Sequence, residues 1–375
     1  MDFNGAKYFT PASNTKIFTF YTSLILLGDS IPALQYIETG DSLIFWGTGD
    51  PSFLHPDLPE SQVSTFLGSQ NKSLYYSDDN FLDDPFGPGW AWDDYFYAFQ
   101  PEKSSFPIHG NFVRIVGKKD SILSVQPNTF SKMLSPEYEH DETRFERNFH
   151  SNEIYFSIDG DGIVEKDLPF RVTKEILLEI LEDTLGVDVT YIKKKIPAET
   201  KTLYSIPSDS LYKRMMMESD NFIAEQLMLI NAGILSDTLK TSISIKYSRD
   251  SLLNDLPDPI IWRDGSGLSR YNLFTPRSIV KLWIKISKMI PEERLFNLIP
   301  AGGVSGTLEN WYKSDTPYIF GKTGTLSNNH CLSGFIETKS GKRLVFSFMN
   351  NNYRHGSSTI KLEMERILKE VYEKY

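Results

Sequence analysis

The chain has 375 residues, of which 40% are hydrophobic and 23% charged, which is a globular composition long enough for a full core and more than one domain. Its net charge of −10 argues against a nucleic-acid partner, as does its longest basic run, the three residues Lys193-Lys194-Lys195. The 6 histidines lack metal-ligand spacing, which argues against a zinc hydrolase, and neither a metal nor another cofactor is called for. The single cysteine, Cys331, cannot staple the fold, and no apolar stretch approaches transmembrane length.

In chain order, Pro11-Ala12-Ser13 leads into an apolar run from Ile17 to Leu27 that is closed by Gly28. Proline at the start and glycine past the end predict a helix, buried because it is apolar nearly all round. Short strands with Gly/Pro turns follow at Asp41 to Pro51 and Leu74 to Tyr76, then a strand at Phe112 to Val116. The charged stretch Pro136 to Arg147 is expected to be an exposed loop, followed by a strand at Tyr155 to Ile158 and an amphipathic helix at Lys174 to Leu185. Ser219 or Asp220 has the character of a helix N-cap before Phe222-Ile223-Ala224. Asp264-Gly265-Ser266-Gly267-Leu268-Ser269 is a tight glycine-rich turn, and a helix is expected from about Arg277 to Ile290. Tyr318 onward forms an antiparallel meander with Lys322 on its first strand and Cys331 packed inside. A last helix, from about Ser357 to Tyr375, should present Ile360, Leu362, Ile367, Leu368 and Val371 as its apolar face. Trp90 and Trp92 are expected to be core aromatics.

Three short strings stand out: Ser13-Asn14-Thr15-Lys16, Ser219-Asp220-Asn221 and Lys322-Thr323-Gly324. The first pattern alone says little, since it recurs at Ser69/Lys72, Ser210/Lys213, Ser278/Lys281 and Ser358/Lys361. Only Ser13 has the setting of a buried helix start, with Lys16 one turn along the same face. In this order the trio matches the nucleophile, proton relay and anion-binding strand of β-lactamases and penicillin-binding proteins.

With Tyr8 to Lys16, Gly47 to Ser52, Gly89 to Asp94, Asp264 to Arg270 and Gly306-Thr307-Leu308, the chain resembles the D-Ala-D-Ala carboxypeptidase/endopeptidase group of low-molecular-mass penicillin-binding proteins. The 206 residues between Ser13 and Ser219 fit the large insertion of that group. The resemblance implies an α+β fold: a penicillin-recognising serine transpeptidase/β-lactamase-like domain, an antiparallel sheet flanked by helices, interrupted by a β-rich insertion. The expected division is a catalytic part at 1–38 and 202–375 and an insertion at 39–201, with a smaller subdomain at about 111–165. Relatives place two strands before the nucleophile helix, whereas 12 residues precede Ser13 and no signal peptide is present. An incomplete start is therefore expected, with an unpaired sheet edge if the strands are absent.

The implied function is hydrolysis of D-alanyl-D-alanine stem peptides or cross-links of peptidoglycan in the periplasm or cell envelope, with β-lactams as covalent inhibitors. Ser13 would be the nucleophile and Lys16 its base, able to act near neutral pH once burial and repulsion from Lys322 lower its pKa. Ser219 would bridge Lys16, Lys322 and the leaving amine, while the Asn221 amide holds the substrate backbone. The substrate would add as a strand beside Lys322 to Thr325, with its carboxylate drawn to Lys322 and Thr323. Gly324 would permit close approach, and the N–H groups of Ser13 and Thr325 would form the oxyanion hole. No histidine stands near the trio in sequence, which leaves contact in space open, and Asp78, Asp79 or Asp83 is a candidate for reaching a substrate amine. The alternatives are a β-lactamase, which would need an activated water, and a non-catalytic β-lactam- or cell-wall-binding module.

Overall fold

A computed structural model describes residues 2–119, 121–137 and 142–375. The first half contains α1 (Lys16–Leu26), β1 (Ser30–Thr39), β2 (Ser42–Gly47), α2 (Val63–Gly68), β3 (Ser73–Ser77), β4 (Phe112–Lys118), β5 (Ser121–Gln126), β6 (Leu134–Pro136), β7 (Arg144–Arg147), β8 (Ile154–Ser157), β9 (Val164–Pro169) and α3 (Lys174–Leu185). The second half adds β10 (Val189–Tyr191), β11 (Lys201–Pro207), α4 (Ser208–Met217), α5 (Asn221–Ser236), α6 (Thr241–Tyr247), α7 (Pro276–Met289), α8 (Glu292–Leu298), β12 (Ile319–Leu326), β13 (Asn329–Glu337), β14 (Arg343–Asn351) and α9 (Ser357–Lys374).

The expected antiparallel meander is the sheet β12-β13-β14, and helices cover both of its faces. Residues on β13 alternate between them, as period-2 geometry requires. Cys331 and Phe335 enter a core with Phe18 of α1, Met228 of α5 and Trp283 of α7, whereas Leu332 and Ile336 pack with Met364 and Leu368 of α9. With both faces covered, β13 is a continuous buried run, which places Cys331 inside the meander.

A separate core spans Ala33 to Leu203 and belongs to the inserted β-rich region. Its main sheet runs β10-β3-β2-β1-β11, with smaller sheets β5-β4-β9 and β6-β8-β7 beyond. Strand β1 pairs with β2 on one side and β11 on the other, so one sheet closes over both ends of the insertion.

The α3 helix matches its expected bounds; Thr173 caps one end by accepting from Ile176 N–H, and Gly186 ends the other at φ 65°. Three expectations are corrected. First, Arg144–Arg147 is a strand rather than part of a loop, although residues 138–141 lie outside the described residues. Arg147 is buried because its guanidinium donates to the carbonyls of Pro169, Asn148 and Ser151, which composition cannot reveal. Second, Trp92 is 75% exposed and not a core residue.

Third, Leu362 is exposed, and Met364 takes the central place on α9. At 100° per residue, Ile360, Met364, Leu368 and Val371 share a stripe, while Leu362 lies about 200° from Ile360. Leu368→Ala should therefore cost about 2–4 kcal/mol, and Leu362→Ala less than about 0.5 kcal/mol. Denaturant unfolding midpoints read both.

Candidate active site

Residues Ala12–Thr15 form one 3₁₀ turn that runs directly into α1. Side chains three apart eclipse in that geometry, so Ser13 and Lys16 line up. Lys16 Nζ stands 2.9 Å from Ser13 Oγ. It also donates to Asn221 Oδ1 at 2.6 Å and to the Ser266 carbonyl at 2.7 Å. Lys16 is wholly buried, while the Ser13 side chain is half-buried at the cleft. Ala12 is held at φ 48°, a conformation costly for an L residue, and Thr15 Oγ1 donates to its carbonyl at 2.8 Å.

The Asp264–Ser269 turn forms the floor beneath Lys16. Asp264 Oδ1 accepts from Gly267 N–H and Asn272 Nδ2, and its Oδ2 accepts from Ser269 N–H and Trp90 Nε1, at 2.6–2.9 Å. Glu225 Oε1 takes the Ser266 N–H at 2.7 Å, and Thr19 Oγ1 donates to the Gly265 carbonyl at 2.7 Å. With the loop fixed this way, the Ser266 carbonyl is aimed at the lysine. Gly267, at φ 91°, is required here, because a Cβ would come within 2.0 Å of the Ala12 carbonyl oxygen.

Strand β12 supplies the opposite wall. Lys322 is wholly buried, and its Nζ donates to Ser219 Oγ at 2.8 Å and to the Thr323 carbonyl at 3.0 Å. Asn14 ties the nucleophile turn to this strand, donating to the Lys322 carbonyl at 2.9 Å. Its Oδ1 accepts from Ser333 Oγ at 2.6 Å, which in turn accepts from Trp283 Nε1 at 2.9 Å. Gly324 lies against the same turn: a Cβ there would be 2.6 Å from the Pro11 oxygen and 2.8 Å from Ser13 N.

The β12–β13 hairpin closes through two residues, with Asn328 at φ 68°. Alternation from the closing pair turns the backbone groups of odd-numbered β12 residues away from β13. Gly321 N–H, which bonds the Pro300 carbonyl at 3.0 Å, obeys this pattern. Thr323 and Thr325 therefore present main-chain groups along an edge beside Ser13.

Burial lowers the Lys16 pKa from 10.5 to about 8, against the opposing pull of Asp264, Asp220 and Glu225. Lys322 is lowered well below its ordinary value, by burial first and then by Lys16. Of the two expected causes, burial and repulsion from Lys322, burial is thus the one that lowers the Lys16 pKa. As a neutral amine, Lys16 has two N–H bonds for Asn221 and Ser266 and one lone pair, which then faces the Ser13 hydroxyl. The arrangement can accept a proton from a serine.

All four residues of the expected machinery meet here, with differences in detail. Ser219 bonds Lys322 but has no bond to Lys16, so the bridge closes on one side only. The Asn221 amide faces inward, its oxygen on Lys16 and its nitrogen donating to the Phe99 carbonyl at 3.0 Å, because Asp220 caps α5 and turns Asn221 back toward α1. In space one histidine does come close, His330, whose Nδ1 is 2.8 Å from Thr325 Oγ1. Asp78 bonds Tyr191, and Asp83 bonds Lys103 and Thr241, so both are occupied inside the protein. Asp264, Glu225, Asn14 and the Ser266 carbonyl were missed as site residues, since each acts by holding another group and carries no chemical signature in sequence.

This fold and site are those of a serine-type hydrolase, with a buried lysine amine beside a serine hydroxyl. Residues 166–371 match the D-Ala-D-Ala carboxypeptidase 3 (S13) family, and the chain belongs to that family of serine-type carboxypeptidases. It is 23% identical to D-alanyl-D-alanine carboxypeptidase DacB of Haemophilus influenzae over 412 residues, covering 95% of this chain and 83% of the relative. Identity is 22% to penicillin-sensitive carboxypeptidase A of Dictyostelium discoideum over 418 residues, covering 93% and 79%. Among solved structures, penicillin binding protein 4 of H. influenzae superposes with a TM-score of 0.80 at 21% identity, covering 100% of this chain and 93% of that one. That protein has also been solved with a β-lactam, at a TM-score of 0.74, 20% identity and the same coverage.

Gly324→Ala should lower stability by about 1–3 kcal/mol as the Ser13 turn is pushed off β12. Gly28→Ala, whose Cβ meets nothing within 4 Å, should leave stability unchanged or slightly raised. Unfolding midpoints compare the two.

Proposed function

We propose that the chain cleaves D-alanyl-D-alanine stem peptides, and D-alanyl cross-links, of peptidoglycan through an acyl-Ser13 intermediate. The observation that carries this reading is the buried Lys16 amine 2.9 Å from the Ser13 hydroxyl. Lys16 takes the hydroxyl proton as Ser13 Oγ attacks the carbonyl of the penultimate D-alanine. The N–H groups of Ser13 and Thr325 receive the oxyanion, each worth about 3 kcal/mol. The C–N bond then breaks: Ser219 passes its hydroxyl proton to the departing D-alanine amine and is reprotonated with the proton that Lys16 took from Ser13, so lysine and serine both return to their starting forms. Water attacks the ester, and Ser13 recovers its proton as the peptide acid leaves. The peptide lies as an added strand on the free edge at Thr323 and Thr325, with Gly324 keeping the Ser13 turn close.

β-Lactams, whose amide sits where the scissile bond would, should acylate the same oxygen. The β-lactam complex of penicillin binding protein 4 supports this extension. We also propose a catalytic unit of 1–38 and 202–375 carrying an insertion of 39–201 with a subdomain at about 111–165, and action at the cell envelope, where the substrate lies. Among the described residues no helix is long and apolar enough to cross a membrane.

Purified protein should release D-alanine from a D-Ala-D-Ala peptide and gain the mass of benzylpenicillin. Ser13→Ala should lose both by about a thousandfold or more. An adduct that persists in Ser13→Ala would move the nucleophile elsewhere.

A further inference from the structure

Glu218, Ser219 and Asp220 are all that separates α4 from α5, and Ser219 makes the bend at φ 59°. That conformation is costly for a residue with a Cβ, so the turn needs support to keep its hydroxyl on Lys322. Asp220 supplies part of it, its Oδ1 accepting from Ile223 N–H at 3.0 Å as the cap of α5. Its second oxygen is spent on the other helix: Oδ2 accepts from Arg214 Nε at 3.3 Å, so Arg214 straps the turn from the end of α4.

The far side of the same guanidinium leaves the catalytic helices. Arg214 Nη2 donates to Asp57 Oδ2 at 3.0 Å, and Asp57 lies between β2 and α2, in the inserted β-rich region. Arg114 of β4 donates to that carboxylate through Nη1 and Nη2 at 3.1 and 3.2 Å, and through Nε and Nη2 to Asp167 of β9 at 2.8 Å. Burial pushes the Asp57 carboxyl up, but the guanidiniums of Arg114 and Arg214 outweigh it and hold the group below the usual carboxylate range. Asp167, Arg114, Asp57, Arg214 and Asp220 thus form one line of alternating charge from the sheet β5-β4-β9 to the Ser219 turn. Their side chains are 17–29% exposed. A single ion pair at that exposure stabilises little, whereas a network in which each guanidinium serves two carboxylates fixes their relative positions.

We propose that Arg214 and Asp57 are positioning residues for Ser219, through which the inserted region holds the proton-relay hydroxyl in register with Lys322 and the leaving amine. The inference rests on the acyl-Ser13 reading, and deepens it by giving the insertion a part in the proton transfer to the leaving group. Neither residue touches the reacting atoms; each acts through the orientation of Asp220 and the turn it caps.

Two substrates with the same acyl peptide expose that role: a D-alanyl-D-alanine amide, whose leaving amine needs the Ser219 proton, and a thioester, whose thiolate departs without one. For each, kcat/KM reads acylation. Arg214→Gln should lower the amide-to-thioester ratio of kcat/KM about tenfold, the scale set by a small misplacement of a reacting group. Asp57→Asn keeps its shape and leaves Arg214 on Asp220, and should lower the ratio in the same direction by less; it alone decides if Arg214→Gln does not fold. A ratio unchanged in the folded variants, even where both rates fall together, makes the network a structural support and overturns the assignment while the acyl-Ser13 reading stands. Wild-type protein that cleaves neither substrate overturns both.

Discussion

Two lysine side chains are carried into the protein interior, each ending on a serine hydroxyl, and the organisation of the site follows from that burial. An ammonium taken out of water without a full counter-charge favours losing its proton. Lys16 reaches that condition at the first turn of a helix that is buried all along its first two turns, and Lys322 reaches it on the inward face of β12. The serines remain at the cleft while the amines stay dry, so the amines are hidden and the hydroxyl oxygens are accessible.

Holding this arrangement requires an extensive polar scaffold. Asp264 spends both carboxylate oxygens on its own loop and on Trp90, which aims the Ser266 carbonyl at Lys16. The same carboxylate, together with Asp220 and Glu225, pulls the Lys16 pKa upward, so the depressed value is the outcome of opposed effects in which burial wins. Asn14, Ser333 and Trp283 fasten the nucleophile turn to β12, and two glycines, 267 and 324, allow backbones to touch where a methyl group could not fit. Strained φ values at Ala12 and Ser219 place local cost at the turns that deliver the two hydroxyls.

Which side chains line the cleft was largely legible in the chain. Ser13, Lys16, Ser219 and Lys322 are chemically distinctive and sit at element boundaries that proline, glycine and capping residues announce. The meander and the helices at 174–185 and 276–289 were likewise visible from periodicity and punctuation. What stayed hidden depends on pairing across long separations. His330 faces Thr325 because of strand register. Arg147 is buried among carbonyls that composition cannot locate, and the inward turn of Asn221 follows from Asp220 capping α5.

The central claim is that burial brings the lysine beside Ser13 far enough below the ordinary lysine range to exchange a proton near neutral pH. Labelling the protein with [ε-¹³C]lysine and following the side-chain resonances through a pH titration measures this directly, with assignments from the signals lost in Lys16→Arg and Lys322→Arg. Two signals should stand apart from the bulk: Lys16 titrating near 8 and Lys322 also well below 10.5. If both resonances titrate with the surface lysines near 10.5, the site has no buried base and the account of Ser13 activation is wrong.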